Sequence, residues 1–477
     1  MTSRFVFLLL TALVTPPLLT AEAARPNVLF IAVDDLNDWV GCLGGHPQAE
    51  TPHIDRLAAR GVNFTNAHCQ APICNPSRVS LMTGRRPSTT GIYYLAPLLR
   101  DYEATRDLVT IPQHFAANGY RTLAAGKLLH GADKPEFDEY AGSFGGFGPR
   151  PPAPLAAGHT HPLWDWGPFP KRDEQMPDKR IADWAIEQLN QPTSQPFFLG
   201  VGFYRPHVPL YAPKGWFDRF PLEEVQLPVI TPDDLADVPS YGQDLSWSRV
   251  APRHRWMIEN HQWRRAVQAY LASTAFVDHQ IGRVLKALEQ SSVARNTIVV
   301  LWSDHGFHLG VKERWGKRSL WEVSTRVVLV ISGPGVASGE SCAEPVGLID
   351  LYPTLCGLCG LNPPAGLEGH TLEPQLANAA APRPHPALTT FGRNNHAVRL
   401  RDWRYIEYAD GTRELYDHRA DPDEFNNLAT DPAYADQIET MRRLLPTHNA
   451  PMAPGSKHAD ARPGSPADID RETENTP

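Results

Sequence analysis

Two stretches constrain the fold more than any others: NVLFIAVDD at 27–35 and TIVVLWSDH at 297–305. Each is an apolar, β-branched run without polar alternation, closed abruptly by polar residues. A strand with one face in water alternates apolar with polar. An unbroken apolar run instead indicates a strand covered on both faces, as in a largely parallel sheet between helices. RVVLVI (326–331), PFFLGVGF (196–203) and YRTLAAG (120–126) read the same way. The segment RRAVQAYLASTAFVDHQIGRVLKALEQ carries apolar residues at 267, 271, 274/275, 281, 285 and 288, the period of an amphipathic helix. Asp278 lies on that stripe, so it is expected to cap or pair with a neighbouring element. The fold class is therefore α/β, with a large, mostly parallel central sheet between helices.

The 477 residues leave room for one large α/β body and a smaller domain. Residues 1–23 (MTSRFVFLLLTALVTPPLLTAEA) have one basic residue, a short apolar run broken by Pro16 and Pro17, and small residues at Ala21 and Ala23. That is a signal-peptide pattern, and the chain is expected to be exported, periplasmic or secreted. No other segment is long and apolar enough to span a bilayer, so no stable membrane insertion is expected. The catalytic α/β domain is assigned to 24–372, a Pro- and Ala-rich linker to 373–388, and a small C-terminal α+β subdomain with antiparallel strands to 389–449. Residues 450–477 have little to bury and read as a disordered tail. The Pro- and Gly-rich excursion at 135–180 reads as a substrate-facing lid carrying Trp164 and Trp166. Net charge is −8 with no cationic run, which excludes a nucleic-acid groove. Arginines near 249–265 fit either an anion contact or a solvated helix start.

In open α/β sheets the ligand crevice lies beyond the carboxyl ends of the strands. The polar residues there form one set: Asp34 and Asp35, Asp304 and His305, Lys127 and His130 after 120–126, and His207 after 196–203. Two adjacent acids after an apolar strand cannot both face the core without a large desolvation cost. One at the surface and one capping a helix is an ordinary outcome. Carboxylates delivered from two strands are also what a hard divalent cation such as Ca²⁺ or Mg²⁺ requires.

Six cysteines are too few for a disulfide scaffold. The CGLC at 356–359 ends an apolar helix and reads as buried small residues. Cys74 differs. In APICNPSRVSLMTGRRP (71–87), Pro76 suits a first helical turn, Arg78 falls one turn beyond Cys74 on the same face, and Gly84 stops the helix. A cysteine at a helix N-terminus beside a cation favours negative charge on it or its ligand. A disulfide half, a thiol nucleophile and a residue awaiting chemical conversion all remain open on this pattern.

The residues CNPSR at 74–78 and LMTGR at 81–85, together with VDD, GK, PH and SDHG in this order, resemble the signature of the sulfatase family. This family belongs to the alkaline-phosphatase-like superfamily. His305 and the block GFYRPH resemble the iduronate-2-sulfatase side of the family and its bacterial relatives. The resemblance runs from Asn27 to about Leu428 and implies an alkaline-phosphatase-like sandwich. It also implies that Cys74 is converted to Cα-formylglycine by a formylglycine-generating or anaerobic sulfatase-maturating enzyme. One Ca²⁺ per chain is implied, held by Asp34, Asp35, Asp304 and His305, with the modified Cys74 as a further contact.

The same resemblance gives Arg78 and Lys127 the task of holding and polarising the aldehyde hydrate. His130 would hydrogen-bond it, Lys317 would clasp a sulfate oxygen, and His207 would face the leaving oxygen. A hydrate suits the reaction: one hydroxyl attacks sulfur, and the second then collapses to the aldehyde and expels sulfate. The implied activity is hydrolysis of a sulfate monoester on a sulfated carbohydrate. Arg205, Arg253 and Arg393 are candidate contacts to a uronate or a neighbouring sulfate, and Phe307 is a candidate shaper of the pocket. Choline sulfatase and phosphonate or phosphate monoester hydrolase share the scaffold as alternatives. An unmodified, non-catalytic sulfate-ester-binding protein is a third.

Overall fold

The structure is a computed structural model that describes residues 25–131, 134–156, 158 and 161–456. The signal-peptide pattern and the tail from 457 lie outside the described residues. Eight strands form the central sheet: β1 (Asn27–Val33), β2 (Val62–Phe64), β3 (Arg121–Gly126), β4 (Glu139–Tyr140), β5 (Phe197–Phe203), β6 (Thr297–Ser303), β7 (Leu329–Ser332) and β8 (Glu340–Cys342). Their order is β8-β2-β7-β6-β1-β5-β3-β4. The run β6-β1-β5-β3-β4 is parallel throughout. β7, the strand of RVVLVI, runs antiparallel to both its neighbours.

Both faces of β1 are buried, as its composition requires. Val28, Phe30 and Ala32 pack on one side with α2 (Cys74–Thr83) and α5 (Leu351–Leu358). Leu29, Ile31 and Val33 pack on the other with α1 (Pro52–Ala58), α3 (Pro177–Leu189) and α4 (Trp263–Gln290). Each fully buried aliphatic or aromatic side chain contributes about 1.5–3 kcal/mol, so this strand anchors both layers. Asp278 on α4 accepts from the backbone N–H groups of Ile54 (2.8 Å) and His53 (3.2 Å) and so caps α1 from another helix. Burial pushes its pKa up to about 7.

The second sheet is antiparallel, in chain order β9 (Ala387–Thr390), β10 (His396–Arg399), β11 (Trp403–Glu407) and β12 (Arg413–Asp417). One face packs on α6 (Ala435–Arg442) through Val398, Tyr405, Leu415, Ile438 and Met441. The other packs on Tyr93, Tyr94, Leu320 and Trp321 of the main body. Residues 373–388 include a short helix, Glu373–Ala377, and Leu372 and Leu376 enter the main core. The first tail residues are fixed as well. Ala450 N donates to Ser88 O, Ala453 N donates to Gly91 O, and Met452 is buried against the tyrosine cluster. Disorder from 450 is therefore corrected for 450–456.

Register sets the level of the strand ends. Val33 pairs with Phe203 on one side and Ser303 on the other, and Gly126 pairs with Gly202. β1, β3, β5 and β6 therefore stop together. Gly202 is needed at this level, because a Cβ there would lie within 2.5 Å of the Lys127 backbone.

Candidate active site

α2 starts at Cys74 with Ile73 extended before it, and ends at Gly84 in the left-handed conformation (φ 67°). This helix points Cys74 and Arg78 at the level where the four strands stop. Ser77 Oγ donates to the Asp304 carbonyl (2.6 Å), which ties the helix start to the end of β6. Arg78, fully buried, bridges two strands: Nη2 donates to Asp34 Oδ1 at 3.0 Å and Nε to Asp304 Oδ2 at 2.9 Å. Its Nη1 donates to the carbonyls of Lys127 (2.6 Å) and Leu128 (3.1 Å), joining the end of β3 to the same point.

Asp35 has φ 60°, a conformation that costs an L-residue about 1 kcal/mol. Three bonds around it hold the turn. Its N–H donates to Asp304 Oδ1 (3.1 Å), its carbonyl accepts from Tyr270 Oη (2.8 Å), and that hydroxyl accepts from Asn37 N (2.8 Å). The carboxylate thereby faces Cys74. Lys317 Nζ lies 2.6 Å from Asp35 Oδ1 and 2.9 Å from Cys74 Sγ. His305 Nε2 lies 3.3 Å from Cys74 Sγ and 3.4 Å from oxygens of both Asp35 and Asp304. Lys127 Nζ is 2.6 Å from Asp34 Oδ2, and His207 Nε2 is 3.7 Å from Asp35 Oδ2. His130 is a hydrogen-bond partner of the Cys74 thiol.

All ten sequence-predicted residues thus meet at one centre: Asp34, Asp35, Cys74, Arg78, Lys127, His130, His207, Asp304, His305 and Lys317. They are arranged in depth. The side chains of Asp34, Asp35, Arg78, Asp304 and His305 have no exposed surface, whereas Lys127, His207 and Lys317 are 6%, 10% and 13% exposed. The three acids, bridged by Arg78 and flanked by His305, form the floor, and Lys127, Lys317 and His207 form the open side. Burial opposes ionisation of the Cys74 thiol, but Lys127, Lys317 and His305 outweigh it and hold the pKa well below the ordinary thiol value. Burial likewise opposes ionised Asp34, and Lys127 and Arg78 override it. For Asp304 burial prevails and the pKa is raised.

The donor set fits a hard cation. Oxygens of Asp34, Asp35 and Asp304, His305 Nε2, His207 and Cys74 Sγ fall into three overlapping groups whose atoms lie within 4.8 Å of one another. Asp35 Oδ2 is buried with no hydrogen-bond partner, an orphaned acceptor that a cation would satisfy. His305 Nδ1 is 3.0 Å from the Gly306 carbonyl, which turns Nε2 toward the acids. The ring is a cation beside Cys74 without metal, and with only the Nδ1 proton retained its Nε2 would be free to ligate. Carboxylate oxygens in the majority select Ca²⁺ or Mg²⁺ over softer ions. A further acid–histidine group, Glu322, His418 and Glu424, lies apart from this centre. Its carboxylates already pair with Arg399 and Arg404. That network, with Trp321 Nε1 on Glu414 (2.8 Å), joins the C-terminal sheet to the segment carrying Lys317.

Several expectations are corrected. Trp164 and Trp166 are buried in a core with Phe307 and Tyr270, so they form no substrate-facing lid. Phe307 is itself 1% exposed and supports the centre from behind. Arg205 is 1% exposed and donates to three backbone carbonyls, so its guanidinium does not meet substrate. The candidates Arg253 and Arg393 are not displaced in this way: Arg253 lies over the Trp247 ring, and Arg393 sits in the turn between β9 and β10. At 249–265 the reading as a solvated helix start fits Arg255, which pairs with Glu259 on the exposed side of a short helix, His254–Glu259. All six cysteines are free, and Cys356 and Cys359 are buried. Sequence reasoning missed Tyr270, Ser77 and Phe147, whose ring lies against the His207 imidazole with centroids 4.5 Å apart. Only the place of Ser77 inside CNPSR gave a signal.

Comparison with known proteins agrees with this geometry. Residues 26–361 match the model of the Sulfatase family, and 310–450 match the N-sulphoglucosamine sulphohydrolase C-terminal model. A sulfatase of Formosa agariphila is 44% identical, covering 90% of this chain and 88% of the relative. Iduronate 2-sulfatase of Mus musculus is 34% identical, covering 71% and 69%. The solved structure of a 2-O GAG sulfatase superposes with a TM-score of 0.69 at 25% identity, covering 88% of this chain and 91% of that one.

Proposed function

The chain belongs to the sulfatase family and is accordingly a sulfuric ester hydrolase, and on that premise we propose that it cleaves a sulfate monoester on a sulfated sugar or polysaccharide fragment, at a formylglycine derived from Cys74 beside a bound Ca²⁺. The observation that carries the proposal is the layered charge of the centre. Three buried acids lie under residue 74, and three cationic or imidazole side chains form the open side.

Asp34, Asp35, Asp304 and His305 would hold the cation. When bound, it supplies charge against an anionic ester and lowers the pKa of a hydroxyl on residue 74. Conversion of Cys74 supplies that hydroxyl, through the hydrated aldehyde. The remaining work belongs to the chain's own side chains. Arg78 fixes the helix start against both acidic strand ends. Lys127 and Lys317 present ammonium groups to the non-bridging sulfate oxygens, where charge develops. His207, with Nδ1 2.6 Å from the Val208 carbonyl, keeps a proton there and turns Nε2 to the centre. In its protonated form it delivers the Nε2 proton to the departing alcohol.

The substrate class we favour is a 2-O-sulfated uronate of a glycosaminoglycan or related polysaccharide. The support is that the mouse relative is an iduronate 2-sulfatase and the superposed structure a 2-O GAG sulfatase. Export is part of this proposal and is supported by the signal-peptide pattern at 1–23; no helix among the described residues is long and apolar enough to cross a membrane. The mass of the Cys74 peptide from the native host tests maturation: an aldehyde is expected, and a thiol throughout would leave a non-catalytic binding protein. A panel of sulfated oligosaccharides tests the substrate, with 2-O-sulfated uronates expected to turn over fastest.

A further inference from the structure

We propose that Arg205 is a positioning residue for departure of the alcohol, acting through His207 and Phe147; this rests on the assignment of His207 as the leaving-group acid. Arg205 follows β5 and is 1% exposed. Its guanidinium spans three carbonyls, two in the stretch it begins and one far away in the chain: Nη1 to His207 O (2.8 Å), Nε to Tyr211 O (3.0 Å) and Nη2 to Phe147 O (2.6 Å). The fully buried Asp178 holds the backbone from which Arg205 springs, its Oδ1 accepting from Tyr204 N (2.6 Å) and Arg205 N (3.2 Å).

The clamp has a chemical consequence. Phe147, tied at its carbonyl, lays its ring against the His207 imidazole with centroids 4.5 Å apart and planes tilted by 32°. The same ring lies 5.5 Å from Lys127 Nζ. The imidazole is therefore fixed by its own main-chain carbonyl, by the Nδ1 contact to Val208 O and by the Phe147 ring. Only Nε2 is left to face the centre. Burying a guanidinium is costly, and a methionine would fill the same volume without that cost. The planar fork is needed because it alone sets three carbonyls in fixed relation. A general acid must lie within hydrogen-bond reach of the departing oxygen, and a misplacement of about 1 Å costs about 10²-fold.

The test is the dependence of kcat/KM on leaving-group acidity for matured enzyme with substituted phenyl sulfates, from 4-nitrophenyl to 4-methoxyphenyl. A nitrophenolate departs without a proton, whereas a methoxyphenolate needs one. Wild type should show a shallow dependence and His207→Gln a steep one. Arg205→Met and Arg205→Lys should also be steep, losing about 10²-fold on the poorest leaving group and little on 4-nitrophenyl sulfate. Phe147→Leu should fall between them and wild type. Its contact to Arg205 is made by backbone, so it keeps the comparison available if Arg205→Met does not fold. Parallel displacement of the Arg205 and Phe147 lines beside a steep His207→Gln line overturns the clamp and leaves His207 in place. A parallel His207→Gln line removes the acid assignment, and the clamp with it.

Discussion

Arg78→Lys isolates what the guanidinium does for the centre, because it keeps the charge and removes the fork. Arg78 makes four bonds, two to carboxylates on different strand ends and two to main-chain carbonyls of the β3 turn. A lysine ammonium at the end of one stem reaches one carboxylate and abandons the rest. One lost charge-assisted bond costs about 1.5–3 kcal/mol, and an unsatisfied buried carbonyl about 1–3 kcal/mol. Partial relaxation brings the expected loss to about 3 kcal/mol. Arg78→Met also strips the counter-charge from Asp34 and Asp304, and breaking a buried pair in that way costs about 3–5 kcal/mol on its own. Against a total stability of about 5–15 kcal/mol, these losses are easily read from urea unfolding followed by tryptophan fluorescence. The order in EDTA should be wild type, then Lys, then Met. Added Ca²⁺ should narrow the gap for Met most, because the cation supplies charge to the same acids. A Lys variant within about 0.5 kcal/mol of wild type, the spread of ordinary surface changes, would refute the bridging argument. Equal losses for Lys and Met would refute the charge argument.

Lys317→Ala should lower kcat/KM by about 10²–10³-fold, the cost of removing one preorganised donor, with little change in the Ca²⁺-loaded melting temperature; unchanged turnover removes Lys317 from the site. Chelation should abolish activity and lower thermal stability, with Ca²⁺ restoring both; at a hundredfold excess over Kd the ion contributes about 2.7 kcal/mol. Activity and melting temperature that ignore EDTA would exclude the cation. His308, fully buried with Nδ1 3.0 Å from Val311 O and Nε2 2.7 Å from Ser319 Oγ, braces the chain on both sides of Lys317. Burial pushes its pKa down to about 3. The folded value lies below the unfolded one, so the stability it contributes is complete above pH 6.5 and lost as pH falls towards 3. His308→Asn should therefore flatten the acid slope of stability by about 1.4 kcal/mol per pH unit in that window; identical slopes would show that the imidazole stays protonated in both states.

The strands were legible because burial on both faces leaves an unbroken apolar record, and their terminal polar residues have one place to go. The direction of β7 was not, since an apolar run reports burial and carries no sign for parallel or antiparallel pairing. Cys74 and Arg78 were legible through helical spacing, and Lys317 only through resemblance, since it sits on a loop that the C-terminal sheet holds in place. Arg205 read as a substrate contact because arginine is ordinarily solvated. Its actual partners include a carbonyl 58 residues away, which no local pattern encodes. Trp164 and Trp166 misled for the opposite reason: a Pro- and Gly-rich stretch looks exposed, yet both indoles fill the core beside α4. Residues 450–456 are ordered because Met452 and Ala453 find buried places on the main body.

Inorganic anion release from matched 4-nitrophenyl sulfate and 4-nitrophenyl phosphate, by matured wild type and by Cys74→Ala, addresses the ester chemistry at this centre head-on. Sulfate should be freed in clear preference to phosphate, and the alanine variant should free neither. Equal sulfate from the alanine variant, or a preference for phosphate in wild type, would contradict the account.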